Sequence, residues 1–396
     1  MATSSAEQMR AWQGPALFSF GFRPFFLFGA VWACFAMLLW IPALSGAVTL
    51  PTRFDPVSWH AHAFLFGYLS AVLAGFLLTA VPNWTGRLPL VGWPLAAMFG
   101  IWFAGRVAVL FSEFLPSGVA AAIDLAFPVI LGAVILREIV AGKNWRNLMV
   151  LGLLAVFTLA NLLFHIEAAQ GEIAAQGVGL RLGVGTGVMM IAVIGGRIVP
   201  SFTRNWLARE GKDARPTPPM QMFDKGVLLA SVAGLLLWVL RPESEATGLA
   251  LLALGALHLV RVVRWKGHHT GGEALVWVLH IAYAFIPLGA IVIGLAIVLP
   301  DLVLTQSAQH LWMAGAIGAM TLAVMTRATL GHTGQSLHAG VGTLVIYLAL
   351  FGSVAARVFA GGEPVFYHIS GLMWIVAFGG FAVAYGPLLL RRKAGA

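Results

Sequence analysis

Apolar runs about as long as a bilayer is thick follow one another along the whole chain, parted by short polar, Gly- or Pro-bearing stretches. Neither strand alternation nor the three-to-four spacing of an amphipathic helix persists. In Ala120–Leu136, Leu148–Phe164 and Val341–Phe359 nearly every position is apolar. A helix that is hydrophobic all round belongs in lipid, and about 20 residues suffice to cross it. The pattern predicts about twelve spans, near Phe25–Leu44, His60–Val81, Trp93–Leu110, Ala120–Leu136, Leu148–His165, Leu180–Val199, Val227–Leu240, Gly248–Val263, Ala274–Leu299, Ala308–Thr326, Val341–Phe359 and His368–Leu390. The expected fold class is all-α, a polytopic membrane protein forming one integral domain over residues 1–396.

Composition agrees: 60% of residues are hydrophobic and 10% charged, against about 25% charged in a soluble domain. No cleavable signal peptide is expected, because the first residues are polar and the apolar run from Phe25 is too long and lacks a small-residue cleavage site. The single cysteine, Cys34, lies in the first span. That excludes a disulfide framework and a thiolate cluster, so a metal must rest on His, Met or carboxylate.

With both termini cytoplasmic, most of the 24 Lys and Arg fall on the inner side, Arg10, Arg87 and Lys393 among them. Only Arg53, Arg181, Arg241 and Arg357 fall outside, and Arg106 and Arg197 within spans. The positive-inside rule fixes this orientation in an inner membrane. The net charge of +9 reflects topology, since basic residues scattered over short loops offer nucleic acid no patch. The longest connection, 200–226, is a cytoplasmic linker carrying Arg204, Arg209, Lys212, Arg215 and Lys225. It leaves no room for a soluble catalytic domain, so the chemistry belongs in the membrane.

A weak internal repeat aligns spans 2, 6 and 10. Pro82-Asn83-Trp84-Thr85-Gly86, Pro200-Ser201-Phe202-Thr203-Arg204 and Leu330-Gly331-His332-Thr333-Gly334 each follow a Gly- and Ala-rich span. Three four-helix units, 1–147, 148–270 and 271–396, would account for the twelve spans, and membrane repeats often meet at a functional site.

In this topology His60, His62, His165, His310 and His368 lie at the outer ends of spans 2, 5, 10 and 12, whereas His258, His280 and His332 lie toward the cytoplasm. His268, His269 and His338 fall in cytoplasmic connections. An interfacial histidine is ordinarily a hydrogen-bonded anchor, and His165 and His368 read that way first. His60, His62 and His310 stand apart, because Gly67, Gly75, Gly315 and Gly318 on the same helices make room for close helix or macrocycle approach; small residues also serve plain helix packing. Two positions along a helix turn through about 200°, so His60 and His62 cannot both ligate one metal from a regular helix. Imidazole suits haem iron and copper alike.

Arg197 and Arg327 close spans 6 and 10. Arginines there snorkel to headgroups, or cradle an anion such as a haem propionate, with His332 nearby. Arg106, deeper in span 3, needs a partner or a water-filled cavity.

These stretches together resemble the NnrS family, bacterial membrane proteins associated with the response to nitric oxide. The resemblance runs nearly end to end, through Gly21-Phe22-Arg23-Pro24-Phe25-Phe26-Leu27, Trp59-His60-Ala61-His62, the stretch from Gly75 to Gly86, Gly195-Gly196-Arg197-Ile198-Val199-Pro200, and the stretch from Met325 to Gly334. One departure shows: Ala63 stands where family members typically carry Glu after the second histidine. The resemblance implies a twelve-span inner-membrane protein that binds haem, expected as haem b, and copper, and protects cells under nitrosative stress. Heme-copper oxidases and nitric oxide reductases offer a looser analogy, with pseudo-threefold subunits and haem histidines on spans 2 and 10. Here His60 or His62 and His310 occupy those spans, but span 6 has no histidine and span 7 no His-His pair, so that copper-site pattern is missing.

Two functions follow. In one, His60 or His62 with His310 holds a haem near the outer surface, the remaining outer histidines hold copper or tune the haem, and nitric oxide or a related nitrogen oxide is bound or redox-processed, with a quinol or cytochrome as electron donor. In the other, the repeats and Arg106, Arg197 and Arg327 serve a transport path for an anion or metal complex. No phosphate loop, intramembrane carboxylate pair or Ser-His-Asp arrangement is found, and every Asp and Glu reads as lying at a loop or span end.

Overall fold

Caps, prolines and glycines decide where each apolar run becomes a helix. The computed structural model describes residues 12–86, 89–301, 305–360 and 363–392, so Arg10, Arg87 and Lys393 lie outside the described residues. Among the described residues, twelve helices are long and apolar enough to cross a membrane: α1 Phe22–Leu44, α2 Pro56–Pro82, α3 Trp93–Leu110, α4 Ser117–Ala141, α5 Trp145–Ala169, α6 Val178–Arg209, α7 Met222–Leu240, α8 Glu245–Val263, α9 Ala274–Val298, α10 Ser307–Thr333, α11 Val341–Val358 and α12 Pro364–Leu390. There is no strand among them. Large apolar side chains such as Leu348 (62% exposed) and Val383 (79% exposed) face outward. In water they would be a liability, whereas a bilayer is their natural solvent. The chain is an all-α, multi-pass membrane protein.

The predicted spans recur with modest shifts. The largest is in α6, which runs on through Pro200 to Arg209, so the connection expected at 200–226 narrows to 210–221. Pro200 lacks the N–H that would close its turn. Nearby hydroxyls fold back onto the helix, with Ser201 Oγ donating to the Arg197 carbonyl (2.7 Å) and Thr203 Oγ1 to the Val199 carbonyl (2.9 Å).

The described residues fall into two compact units, one drawn from Met1–Gly183, Ala328–Ser336 and Phe378–Ala396, the other from Val184–Arg327 and Leu337–Ala377. In the first unit, α2 opens on an Asp55 cap whose Oδ1 accepts from the backbone N–H of Val57 and Ser58 (both 3.0 Å), with Pro56 in the first turn. The helix is regular through His62 and then widens into a π-helical stretch, Ala63–Tyr68. A π-turn frees carbonyls from the regular ladder. Side chains take them up: Trp32 Nε1 donates to Ala63 (2.8 Å), Arg106 Nη1 to Phe66 (2.9 Å) and Trp102 Nε1 to Gly67 (3.0 Å).

In the second unit, a π stretch in α10, Leu311–Gly318, directly follows His310. Asp224 and Gln221 form the capping box of α7. Asp224 also accepts from Arg261 Nε (2.8 Å), and Arg261 donates onward to the Ala192 carbonyl (2.9 Å) and the Tyr283 hydroxyl (2.6 Å). The Tyr283 proton is then directed to His258 Nδ1 (3.1 Å), and His258 Nε2 meets Ser231 Oγ (2.9 Å). Asp224, Arg261, Tyr283, His258 and Ser231 thereby partner one another, as hydrocarbon surroundings demand.

Candidate metal centre

His60 and His62 leave α2 in different directions, because one hundred degrees per residue separates them by more than half a turn. His60 is half-buried and stacks on Trp40, with ring centroids 4.3 Å apart and 20° between planes. His62 is buried and turns into the first unit. Its Nε2 lies 3.1 Å from Asp124 Oδ2 and 3.1 Å from Asn161 Oδ1. Both neighbours are acceptors, so this nitrogen carries the proton in the arrangement observed.

Asp124 lies about two turns into α4 and its carboxylate has no exposed surface. Oδ2 accepts from His62, from Asn161 Nδ2 (2.8 Å) and from His165 Nε2 (3.0 Å), while Oδ1 accepts from Arg106 Nη2. Asn161 and His165, one turn apart on α5, share a face. Phe54 stands over both imidazoles, at 5.3 Å from His62 and 5.5 Å from His165, and Phe66 and Phe164 complete the walls. Three aromatic rings exclude water from a carboxylate that four N–H donors satisfy.

Gly67 is what admits the arginine. A Cβ there would come within 2.7 Å of Trp32 Nε1 and 2.9 Å of Arg106 Nη1. Gly67→Val should therefore push both donors off the π segment and lower stability by about 1–3 kcal/mol, the usual cost of overpacking, read as a drop in the thermal midpoint of the purified protein.

One ligand atom each from His62, Asp124 and His165 lie within 4.8 Å of one another, and among the described residues this is the one such group. The observed separations of 3.0 and 3.1 Å between imidazole nitrogen and carboxylate oxygen approach the edge, roughly 3.3 Å, of a tetrahedron whose corners stand 2.0–2.1 Å from a metal. Two imidazoles and a carboxylate suit copper, iron or zinc. A single ion fits. His62 Nε2, expected from sequence as a haem or metal ligand, is occupied here by Asp124 and Asn161.

The other residues expected from sequence lie elsewhere. His310 is half-buried at the start of the α10 π stretch, and His368 is exposed in the first turns of α12. His332 is exposed, its ring 5.5 Å from Phe20 and 5.3 Å from Phe22. The Arg327 guanidinium sits 4.2 Å over the Phe202 ring, and Arg197 is half-buried. Sequence reasoning missed Asp124 and Asn161. It placed every acidic residue at a loop or span end, yet Asp124 is buried within α4 as the partner Arg106 requires. An intramembrane arginine at 106 and an aspartate within the very next apolar run were the available signal.

A family model for the NnrS protein matches residues 16–393. The chain belongs to the NnrS family. Comparison with curated proteins gives no match. Membership makes it a membrane protein of the nitric oxide response, and the buried His62–Asp124–His165 group is compatible with the metal-containing character of NnrS proteins. At Ala63 the methyl is buried and the carbonyl is held by Trp32. The carboxylate that meets His62 and His165 comes from α4.

Proposed function

We propose that the chain is an inner-membrane metalloprotein that binds or redox-processes nitric oxide, or a species derived from it, at an ion held by His62, His165 and Asp124 near the periplasmic face. The observation that carries this reading is the buried group itself: two imidazoles and a carboxylate on three helices, walled by aromatic rings. The orientation rests on the positive-inside distribution of Lys and Arg, which puts both termini in the cytoplasm.

A bound copper or iron ion supplies a one-electron couple and an open coordination position. The chain supplies the rest. Arg106 and Asn161 hold the carboxylate in place, the imidazoles would present a bare Nε2 by shifting to their neutral Nδ1–H tautomers, and Phe54, Phe66 and Phe164 keep water from competing with a small apolar gas. Haem b is the second expected cofactor. His60 in the first unit and His310 in the second are each proposed as a haem ligand. A quinol or cytochrome would deliver electrons. The transport reading, which rests on Arg106, Arg197 and Arg327, is less well supported, because Arg106 already has Asp124 as counterion.

Metal and pyridine-haem analysis of the purified protein tests this. His62→Ala and His165→Ala should each lower copper or iron content at least tenfold, while His60→Ala keeps that ion. Full metal content in both of the first two variants would refute the assignment.

A further inference from the structure

We infer that Arg106 sets the charge state of the ion in this centre, favouring the reduced, lower-charge form. The inference rests on the metal-centre reading above and concerns which oxidation state the site prefers.

A bare ligand set of two neutral imidazoles and one carboxylate carries one negative charge. Here the carboxylate is already matched, since Arg106 is ion-paired with Asp124 and both are buried. The centre is therefore formally neutral before an ion enters. Cuprous copper would raise it to one positive charge and cupric copper to two. The cost of burying charge grows with the square of that charge, and little water is present to screen it. The second step is the more expensive, and the guanidinium adds a repulsion that scales with the charge on the ion.

The arginine is fixed against escape from that repulsion. Besides Asp124, it donates to the Phe66 carbonyl freed by the π-turn, and its guanidinium lies 5.9 Å from the Trp102 ring centre, held by that ring's own bond to Gly67. A residue needed only to neutralise Asp124 during folding would be served by the ion pair alone. Here Trp102, a widened helix and Gly67 all accommodate it, and the Phe66 bond holds the charge beside the carboxylate independently of the ion pair.

The test uses full-length protein in lipid nanodiscs loaded with copper, with the midpoint potential followed through the cupric EPR signal. Arg106→Gln keeps a hydrogen-bonding amide and removes the charge. It should raise the affinity for cupric relative to cuprous copper at least tenfold, lowering the midpoint by 59 mV or more. Arg106→Lys, which keeps the charge, should stay within threefold of wild type. An unchanged midpoint in copper-loaded Arg106→Gln overturns the inference. Should that variant not fold, competition against chelators in wild type decides: cuprous copper held more tightly than cupric supports the inference, and the reverse order overturns it. A wild-type protein that binds neither copper nor iron refutes instead the metal-centre reading, and one that binds iron alone overturns the copper preference inferred here.

Discussion

Asp124→Ala should abolish the metal binding proposed for the His62 group and lower stability by about 3–5 kcal/mol, the cost of leaving one partner of a buried ion pair uncompensated. The physical reason is asymmetry. Four N–H groups on Arg106, His62, His165 and Asn161 converge on one carboxylate, and none has water to turn to once it is gone. Arg106→Leu should be about as damaging, because it strands the carboxylate instead. The double variant Arg106→Leu/Asp124→Leu should be more stable than either single one, since apolar replacement of both members of a buried pair is often neutral or better. Thermal unfolding in detergent measures all three, and metal analysis reports the ion. A double variant as unstable as the sum of the singles would show that the pair itself was not the issue.

The second large effect is expected in the other unit and separates stability from metal. Asp224→Ala removes the counterion of the fully buried Arg261 and one half of the α7 capping box at once. The lost pair alone costs about 3–5 kcal/mol, and the lost cap adds about 1 kcal/mol. None of its partners belongs to the His62 group, so the variant should melt earlier yet carry the wild-type amount of copper or iron per folded chain. Loss of metal in proportion to stability across both aspartate variants would argue that the ion is not bound at His62, Asp124 and His165. Conservative Arg261→Lys should recover less than half of the Arg261→Ala loss, because a lysine cannot donate to Asp224, Ala192 and Tyr283 from a planar fork.

Much of the candidate site was readable, but unevenly. The approximately 200° between His60 and His62 follows from helical geometry alone, and the two rings do part, one onto Trp40 and the other to Asp124. Which of the two turns inward was not readable, because neighbours on both faces of that span are apolar. His165 read as an interfacial anchor until α5 was seen to carry it to the same oxygen as His62. Asp124 looked like a span-end residue, since its run of apolar neighbours begins only a few positions earlier. Arg106 was legible as a residue in need of a partner, yet every candidate partner lay on another helix.

The sequence by itself determined the solvent of this protein, the approximate position of its twelve helices and its membership in the NnrS family, because hydrocarbon thickness sets span length and family motifs are local strings. Only the tertiary structure decided which polar residues meet. In lipid, one apolar helix face is as well solvated as another, so hydropathy carries no record of which helices are neighbours. That record lies in a few specific contacts, a π-turn that frees three carbonyls, a glycine that lets an arginine through, and an aspartate to which two histidines turn.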